Sequence, residues 1–478
     1  MNVDYRHVQG QPEWEDVYIT EPVPEWNQDW SKIDLGGYKR PEWFYDVSLQ
    51  QIPDLAAWMD ERDAQKTLSS DSTDASDFPQ NDLYSSAKET AVRYGANILR
   101  KSGFSWLVND VRHRISKKLI KQAGTSEDQM ERTFQSLISD FSENYPDRRQ
   151  ALSMQDIYEL LPRSAAHTPI FQRYHLVQAY SLDPIHVMLG NPGQPFVCFE
   201  HGTLRDFPFE DSARGRLYAL SLKKAEAVII TNADCNRSAE RLGLKNYTFI
   251  PHPVDEEIYK PEPTELRDKL VREHKCKWIF VAPARHHWKK CPPGLENSWF
   301  KRNDILIRAL GNIFRKQPDL NALVVFFEWG QEVNFSRELI EECGFNNKVR
   351  WEPIRSKRAM KEFYNAADLV FDQFNDGIGT FGSVVPESFA CAKPVIINYK
   401  KELHYWCYPE LPPLLNAPDE GAIEKCVLDM IKNDSYRMEL GNTCREWFMN
   451  HHSSNIVTDR LVDIYKAISA KYKWGWQL

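Results

Sequence analysis

Two short stretches in the C-terminal half combine the residue types that phosphate chemistry requires. The first runs from Ala282 to Lys290 and carries Arg285 and Lys290 directly after an apolar run. An arginine can fork onto phosphate oxygens, and a lysine supplies a compact positive charge. Cations fixed in this way stabilise the negative charge that builds up on a departing diphosphate, without a metal ion. The alternative is ordinary, because a basic loop is more often solvated surface.

The second stretch, from Gly377 to Glu387, leads from the end of an apolar run into a predicted helix. Glycines let the backbone approach a ligand closely, and the start of a helix presents free N–H groups to an anion. At the first helical turn, the carboxylate of Glu387 can accept hydrogen bonds from the vicinal hydroxyls of a ribose. Glu387 could instead only complement the helix dipole, and a single glycine-rich loop is more often structural than functional.

A parallel sheet would bring these loops together, and the pattern from Tyr174 onward predicts one. Short apolar runs alternate with helical periodicity, which is typical of doubly wound α/β domains with ligand sites at the carboxyl ends of the strands. The predicted strands are Tyr174–Ala179, Phe196–Phe199, Ala227–Thr231, Trp278–Ala282, Ala322–Phe327, Lys348–Trp351, Leu369–Asp372 and Pro394–Asn398. The predicted helices are Pro184–Leu189, Leu217–Ala225, Asn236–Leu242, Asp304–Lys316, Ser336–Cys343, Lys357–Ala366, Pro386–Cys391, Ala422–Lys432, Ser435–Met449 and Ile456–Lys471.

The segment Pro251–Asp255 interrupts the alternation, because its prolines continue neither a helix nor a ladder. We therefore expect two Rossmann-like domains. Residues 78–255 would form the first domain and 256–455 the second. Residues 1–77 read as an irregular extension or as part of the first domain, and 456–478 as a C-terminal helix that could cross back to it.

The region before the first domain's sheet has less regular patterning. It contains a plausible strand at Asp16–Thr20 and an apolar run at Phe104–Val108. Residues 111–121 predict an amphipathic helix with a basic face, which could contact an anionic membrane as a peripheral surface. The commoner alternative for such a helix is a solvated surface position.

Composition excludes several classes of protein. A net charge of −8 argues against a nucleic-acid partner. The nine cysteines include no Cys-x-x-Cys pair, so neither a disulfide framework nor a zinc site is expected, and reduced thiols indicate a cytoplasmic location. Adjacent histidines, as in His286-His287, do not converge on one metal. No window is apolar enough to span a bilayer. We expect neither a metal nor a cofactor.

Taken together, the two loops resemble a known family. The run from Phe381-Gly382 through Glu387 to Ile396 is similar to the donor-site signature of the large retaining GT-B glycosyltransferase family, the fourth in the usual sequence classification (glycosyl transferases group 1). Arg285 and Lys290, separated by four residues, match the Arg and Lys with which that family contacts the donor diphosphate.

The resemblance extends to the surrounding segments. Phe249–Asp255 resembles the linker between the family's two domains, and Phe196–Gly202 resembles an acceptor-side loop of the first domain. The fold implied is α/β of the GT-B type, with two Rossmann-like doubly wound domains facing a cleft. The first domain would bind the acceptor, and the second would bind a nucleoside-diphosphate sugar.

The resemblance also implies roles for individual residues. Glu387 would hold the ribose, while Arg285 and Lys290 would hold the diphosphate and act in catalysis. His201 would lie near the reacting sugar on the acceptor side, unless it is a structural histidine at a strand end. The donor would also meet the loop residues Gly379, Thr380, Phe381, Gly382, Ser383 and Val384.

One position departs from the family pattern. The family usually has two glutamates separated by seven residues, and the first, which contacts donor sugar hydroxyls, is Gly379 here. Asp372 and Asp376 are possible substitutes for that sugar contact. The departure leaves the sugar open.

The function implied is that of a retaining, metal-independent hexosyltransferase. It would move a sugar from a nucleoside-diphosphate sugar to a glycan, lipid-linked or protein acceptor. One alternative is a catalytically degenerate GT-B protein that acts as a scaffold for another transferase. A sugar-nucleotide epimerase with the same fold is a third reading.

Overall fold

A computed structural model describes residues 127–172, 174–290, 300–355 and 357–474. The strands predicted at Asp16–Thr20 and Phe104–Val108, and the basic helix over 111–121, lie outside these ranges. The described chain divides into two compact units. One comprises residues up to 229 together with 238–248, and the other comprises 230–237 together with 249–474.

The first unit is built around a four-stranded sheet in the order β1-β2-β3-β4. Strand β1 pairs with β2 in parallel, with Val177 opposite Phe196. The strands are β1 Val177–Tyr180, β2 Phe196–Glu200, β3 Ala227–Ile230 and β4 Tyr247–Phe249. The helices are α1 Glu127–Asn144, α2 Met154–Ala166, α3 Thr168–Phe171, α4 Pro184–Gly190, α5 Ala213–Lys224 and α6 Asn236–Arg241.

The second unit contains a six-stranded sheet in the order β10-β9-β8-β5-β6-β7, in which every neighbouring pair is parallel. The strands are β5 Trp278–Ala282, β6 Ala322–Phe327, β7 Val349–Glu352, β8 Leu369–Phe371, β9 Val395–Ile397 and β10 Leu415–Asn416. The helices are α7 Glu265–His274, α8 Asn303–Lys316, α9 Val333–Glu342, α10 Lys357–Ala366, α11 Val384–Ala390, α12 Glu420–Lys432, α13 Asp434–His451 and α14 Ser454–Tyr472.

This strand order is that of a dinucleotide-binding doubly wound sheet. The chain first runs outward through β5, β6 and β7, and then returns to place β8 on the other side of β5. The loops that follow β5 and β8 therefore diverge to opposite faces of the sheet. The crevice between them, at the carboxyl ends of these two strands, is where such folds bind ligands.

Strands β5 and β6 are apolar at every position because helices cover both faces of the second sheet. Every residue of β5 and β6 is buried. Alternate side chains enter different cores: Ile279 and Val281 pack on one face, while Phe280 and Ala282 pack on the other. A strand buried on both faces has no need of polar positions, which explains why these two strands were the clearest in the sequence.

Element prediction succeeded where the pattern was long or strongly apolar. The predicted strands at Trp278–Ala282 and Ala322–Phe327 and the predicted helix at Lys357–Ala366 are confirmed with the same ends. The other predicted strands and helices from Tyr174 onward are confirmed with shifted ends. The structure adds elements that were not predicted, including β4, β10 and α7. The two strands have three and two residues, and α7 buries only Leu270. Among the helices of the described residues, none has the length and hydropathy needed to span a bilayer.

Candidate active site

Three segments of the second unit are joined through their backbones at the carboxyl ends of β5 and β8. The amide of Lys301 donates to the carbonyl of His287 over 2.7 Å. The amide of Phe374 then donates to the carbonyl of Lys301 over 2.9 Å. Because β5 and β8 are neighbours, the loop after β5, the residues before α8 and the end of β8 form one edge.

Two cations lie at this edge. The Nζ of Lys301 donates to Oε1 of Gln373 over 2.7 Å, directly after β8. Burial, together with the positive charges of Arg285 and Lys301, lowers the pKa of His287 to about 3. His287 is therefore neutral at physiological pH, and the guanidinium of Arg285 and the ammonium of Lys301 both lie near enough to its ring to act on it.

Lys290 has different neighbours. Its side chain is exposed, and its Nζ lies 5.3 Å from the ring centroid of Phe335 on α9. Its amide donates to the carboxylate of Glu332. The contact with the diphosphate stays a prediction for Lys290, but the structure offers Lys301 as a second candidate that sequence reasoning missed. A usable signal existed: the helix after a strand starts at that strand's carboxyl end, and Lys301 stands just before α8.

Asp372 follows β8 and is buried. Its Oδ2 has no hydrogen-bond partner among the described residues. The pKa of this carboxyl is raised to about 6, mainly by burial and to a smaller extent by the charge of Glu387. The charge of Lys301 and a hydrogen bond from the backbone of Gly382 act in the opposite direction. Asp372 thus adjoins both the cationic edge and the glycine loop.

Glu387 lies in α11 with only 1% of its surface exposed. Two side chains of α10 hold its carboxylate. Lys357 donates from Nζ to Oε1 over 3.2 Å, and Tyr364 donates its hydroxyl to Oε2 over 2.9 Å. A carboxylate oxygen can accept more than one hydrogen bond, so both oxygens retain acceptor capacity. Sequence reasoning did not include Lys357 or Tyr364, because nothing local relates α10 to α11.

The glycine loop before α11 is closely packed at Gly379. Its φ of +63° is in the left-handed region, and a Cβ there would come within 2.7 Å of the side chain of Lys400. The amide of Lys400 also donates to the carbonyl of Gly379 over 2.9 Å. The stem of Lys400 therefore occupies the space that a side chain at position 379 would need. Only glycine meets both conditions without strain.

The next residues of the loop are held from within the unit. Gln373 donates from Nε2 to the carbonyl of Thr380 over 2.7 Å, and the Thr380 hydroxyl forms a 3.1 Å hydrogen bond with Nε2 of His404. The ring of Phe381 stacks on His404 with an angle of 8° between planes. Burial lowers the pKa of His404 to about 4, so this histidine is a neutral support.

The remaining loop positions differ in packing. A Cβ at Gly382 would meet no atom within 4 Å, so the backbone is open there. Ser383 is partly buried and precedes α11, and Val384 is buried as its first residue. Asp376 is exposed and accepts from Nδ2 of Asn398 over 2.5 Å.

His201 belongs to the first unit, directly after β2. Its ring stacks on Tyr180 at a centroid distance of 5.4 Å, and the residue is exposed. The preceding Glu200 is fully buried and holds the turn that follows, since it accepts from the amides of Gly202 over 2.7 Å and Leu204 over 2.6 Å. Glu200 therefore fixes the backbone of the turn, and the exposed His201 lies at its start.

Within the described ranges, no group of three or more His, Cys, Asp or Glu side chains could hold a metal ion. Metal independence stays a prediction.

Part of the second unit matches a known protein family. Residues 298–446 match the family model described as glycosyl transferases group 1. The match includes Lys301, Asp372 and Glu387, begins after Arg285 and covers less than half of the chain. No curated protein sequence matches the chain significantly.

Solved structures agree in fold. The chain is similar to Anabaena Alr3699/HepE in complex with UDP and glucose, with a TM-score of 0.52, 17% identity, and coverage of 65% of this chain and 82% of that one. It is also similar to a sucrose-phosphate synthase (tll1590) from Thermosynechococcus elongatus, with a TM-score of 0.50, 15% identity, and coverage of 67% and 81%. A third similar structure is a glycosyltransferase from Rickettsia africae, with a TM-score of 0.50, 14% identity, and coverage of 67% of this chain and 84% of that one.

At these identities the likeness to solved structures shows the fold. The expected α/β fold of the GT-B type is confirmed. Together with the family match, it supports a glycosyltransferase.

Proposed function

We propose that the protein transfers a hexosyl group from a nucleoside-diphosphate sugar to an acceptor hydroxyl, with retention of configuration. The observation that carries the proposal is the combination at the switch point of the second sheet. Arg285 and Lys301 supply positive charge at the ends of β5 and β8, and Glu387 supplies a buried carboxylate at the start of the next helix. The complex of HepE with UDP and glucose supports a nucleotide sugar as the donor.

Each group has a role in this scheme. Glu387 accepts hydrogen bonds from the ribose hydroxyls, with Lys357 and Tyr364 fixing its orientation. When the bond between the anomeric carbon and the phosphate oxygen breaks, negative charge grows on the diphosphate. Arg285 and Lys301 stabilise that charge where it develops. Lys290 remains a further candidate for the same task.

Retention follows if the acceptor attacks from the face that the leaving phosphate occupies. A phosphate oxygen then takes the proton of the acceptor hydroxyl, and no nucleophile of the protein is needed. His201 would face the acceptor in the first domain. NMR of the product formed from an α-linked donor measures the outcome directly, and a β-linked product would exclude retention.

The sugar contact is the least specified part of the scheme. Gly379 has no carboxylate to offer, and Lys400 fills the adjacent space. Asp372 is the stronger substitute because its Oδ2 is buried without a partner among the described residues. Asp376 is exposed and already bonded to Asn398. We propose Asp372 as the acceptor of a donor sugar hydroxyl.

Nucleotide binding tests the proposal. Calorimetry with UDP, GDP and ADP should detect one of them, and Glu387→Ala should weaken its binding at least tenfold. Glu256→Ala is the matched control, because Glu256 is also a buried glutamate but holds the amide of Ser454. Unchanged affinity in Glu387→Ala would reject the site. Absence of binding to all three nucleotides would favour the scaffold alternative, which Gly379 motivates.

The proposal also includes the location of the enzyme and the class of its acceptor. We propose a cytoplasmic enzyme, with peripheral membrane contact through residues 111–121, and a glycan, lipid-linked or protein acceptor. The basic helix lies outside the described residues.

A further inference from the structure

A buried glutamate holds the loop that carries Arg285. The carboxylate of Glu332, with 2% of the residue exposed, accepts hydrogen bonds from three successive amides. Trp288 and Lys289 donate to Oε2, and Lys290 donates to Oε1. Successive amides that converge on one point form an anion-binding concavity. In this protein the concavity is filled from within, by a side chain 42 residues beyond Lys290.

The backbones of the two segments are also interlocked. The amide of His286 donates to the carbonyl of Trp329 over 3.0 Å, and the amide of Glu332 donates back to the carbonyl of His286 over 3.1 Å. Between them stands Gly330, with φ +98°. A Cβ at Gly330 would lie 2.5 Å from the nitrogen of His286, so the close approach requires glycine.

A serine one turn after Glu332 holds two side chains of the same loop. The hydroxyl of Ser336 accepts from Nε1 of Trp288 over 2.8 Å and forms a 2.8 Å hydrogen bond with Nδ1 of His286. Ser336 is fully buried. The loop from residue 286 to 290 is therefore fixed on both its backbone and its side chains by the start of α9.

We infer that Glu332 is a positioning residue for Arg285. Arg285 directly precedes the held residues, and the same loop passes through His287 to the backbone of Lys301. Both cations therefore depend on a loop whose conformation Glu332 fixes. Preorganised cations stabilise developing charge because they need no rearrangement at the moment of reaction. The inference rests on the proposed function, since it assigns Arg285 to the diphosphate.

The carboxylate of Glu332 is taken up by the amides of Trp288, Lys289 and Lys290. An anionic side chain within reach of a phosphate would oppose binding, but the charge of Glu332 is directed at the three amides it accepts from. Its effect on the ligand is thus transmitted through the loop. Loss of Glu332 should weaken contacts with the diphosphate and leave contacts with the ribose unchanged.

The test compares Glu332→Gln with Glu256→Gln, a control that makes the same chemical change. Glu256 is buried and accepts hydrogen bonds from the amide of Ser454 over 2.7 Å and from the hydroxyl of Ser454 over 2.6 Å. Neither contact involves the loop that carries Arg285. Both variants should lose thermal stability. Only Glu332→Gln should raise hydrogen exchange at residues 286–290, which is measurable without any ligand.

Affinity then distinguishes positioning from general destabilisation. Each protein is titrated with matched diphosphate and nucleoside pairs: UDP and uridine, GDP and guanosine, ADP and adenosine. Glu332→Gln should weaken binding of the diphosphate at least tenfold and of the matching nucleoside less than twofold, and Glu256→Gln should change neither. Ser336→Ala, which removes only the two side-chain contacts, should give a smaller loss of the same kind.

The outcomes separate this inference from the proposed function. If the wild type binds a diphosphate and Glu332→Gln binds it equally well, or loses diphosphate and nucleoside affinity alike, the positioning role is overturned and the proposed function stands. If the wild type binds none of the three diphosphates, the proposed function fails and the positioning role fails with it. Should Glu332→Gln not fold, Ser336→Ala decides by the same comparison.

Discussion

Lys301 donates from Nζ to Oε1 of Gln373 across 2.7 Å, and this contact joins the segment before α8 to the end of β8. The two residues are separated by 72 positions in the chain. They meet because β5 and β8 are neighbours in the second sheet although two other strands intervene in sequence. The contact brings an ammonium group to the crevice where this class of sheet binds its ligands.

The two lysines can be compared directly. Lys301→Ala should weaken binding of the nucleoside diphosphate at least tenfold, because it removes a cation at the carboxyl ends of β5 and β8, and Lys290→Ala should weaken it less. Calorimetry on both variants measures this difference. The reverse ranking would make Lys290 the principal lysine of the donor site.

Tyr364→Phe tests the support of Glu387. The variant removes the 2.9 Å hydrogen bond to Oε2 while keeping the ring in place. A hydrogen bond to a charged group contributes about 1.5–3 kcal/mol, so we expect a loss of stability within that range and a severalfold weaker nucleotide affinity. Denaturant unfolding measures the loss of stability, and calorimetry measures the nucleotide affinity. Tyr259→Phe is a control, because its hydroxyl donates to the carbonyl of Lys357 and not to Glu387.

The raised pKa of Asp372 predicts that the free energy of unfolding depends on pH. Its pKa is raised from 3.8 to about 6, mainly by burial, so the folded state binds this proton more tightly than the unfolded state. The contribution of Asp372 to stability is therefore most favourable below pH 3.8 and is lost as the pH rises to about 6. The total loss is roughly 3 kcal/mol, at ~1.4 kcal/mol for each unit of pKa.

Asp372→Asn removes this dependence. At pH 7.5 the variant should melt at a higher temperature than the wild type, and the gain should shrink as the pH falls through the window from 6 to 3.8. Calorimetric melting curves across that range measure the difference. An equal gain at every pH would show that ionisation of Asp372 is not its cause.

Gly379→Glu should not recreate the family's first glutamate. The left-handed backbone costs about 1–3 kcal/mol for a residue with a side chain, and the new Cβ would collide with the stem of Lys400. We expect a lower melting temperature. The double variant with Lys400→Ala should recover part of the loss, because it removes the 2.7 Å approaches to Cγ and Cδ of Lys400. The 2.9 Å approach to the Cβ at position 400 and the backbone cost remain. Equal stability of both variants would mean that Lys400 does not limit the position.

Much of the second unit was predictable from local pattern. Trp278–Ala282 and Ala322–Phe327 were identified because strands buried on both faces are uniformly apolar over five or six residues. The helix carrying Glu387 was also expected, although it begins two residues earlier than predicted, at Val384. Pro386 did not mark its start, because a proline in the first helical turn lacks only an N–H that has no partner there.

The sequence by itself determined the fold class, the two loops whose residue types suit phosphate and the absence of a carboxylate at Gly379. These depend on residue type and on spacing within one segment. Tertiary structure decided which lysine lies at the carboxyl ends of β5 and β8, which residues hold Glu387 and why position 379 must be glycine. Those relationships join residues such as Lys301 and Gln373 or Gly379 and Lys400, and the distance between them depends on strand order and loop packing. Local periodicity carries no information about either.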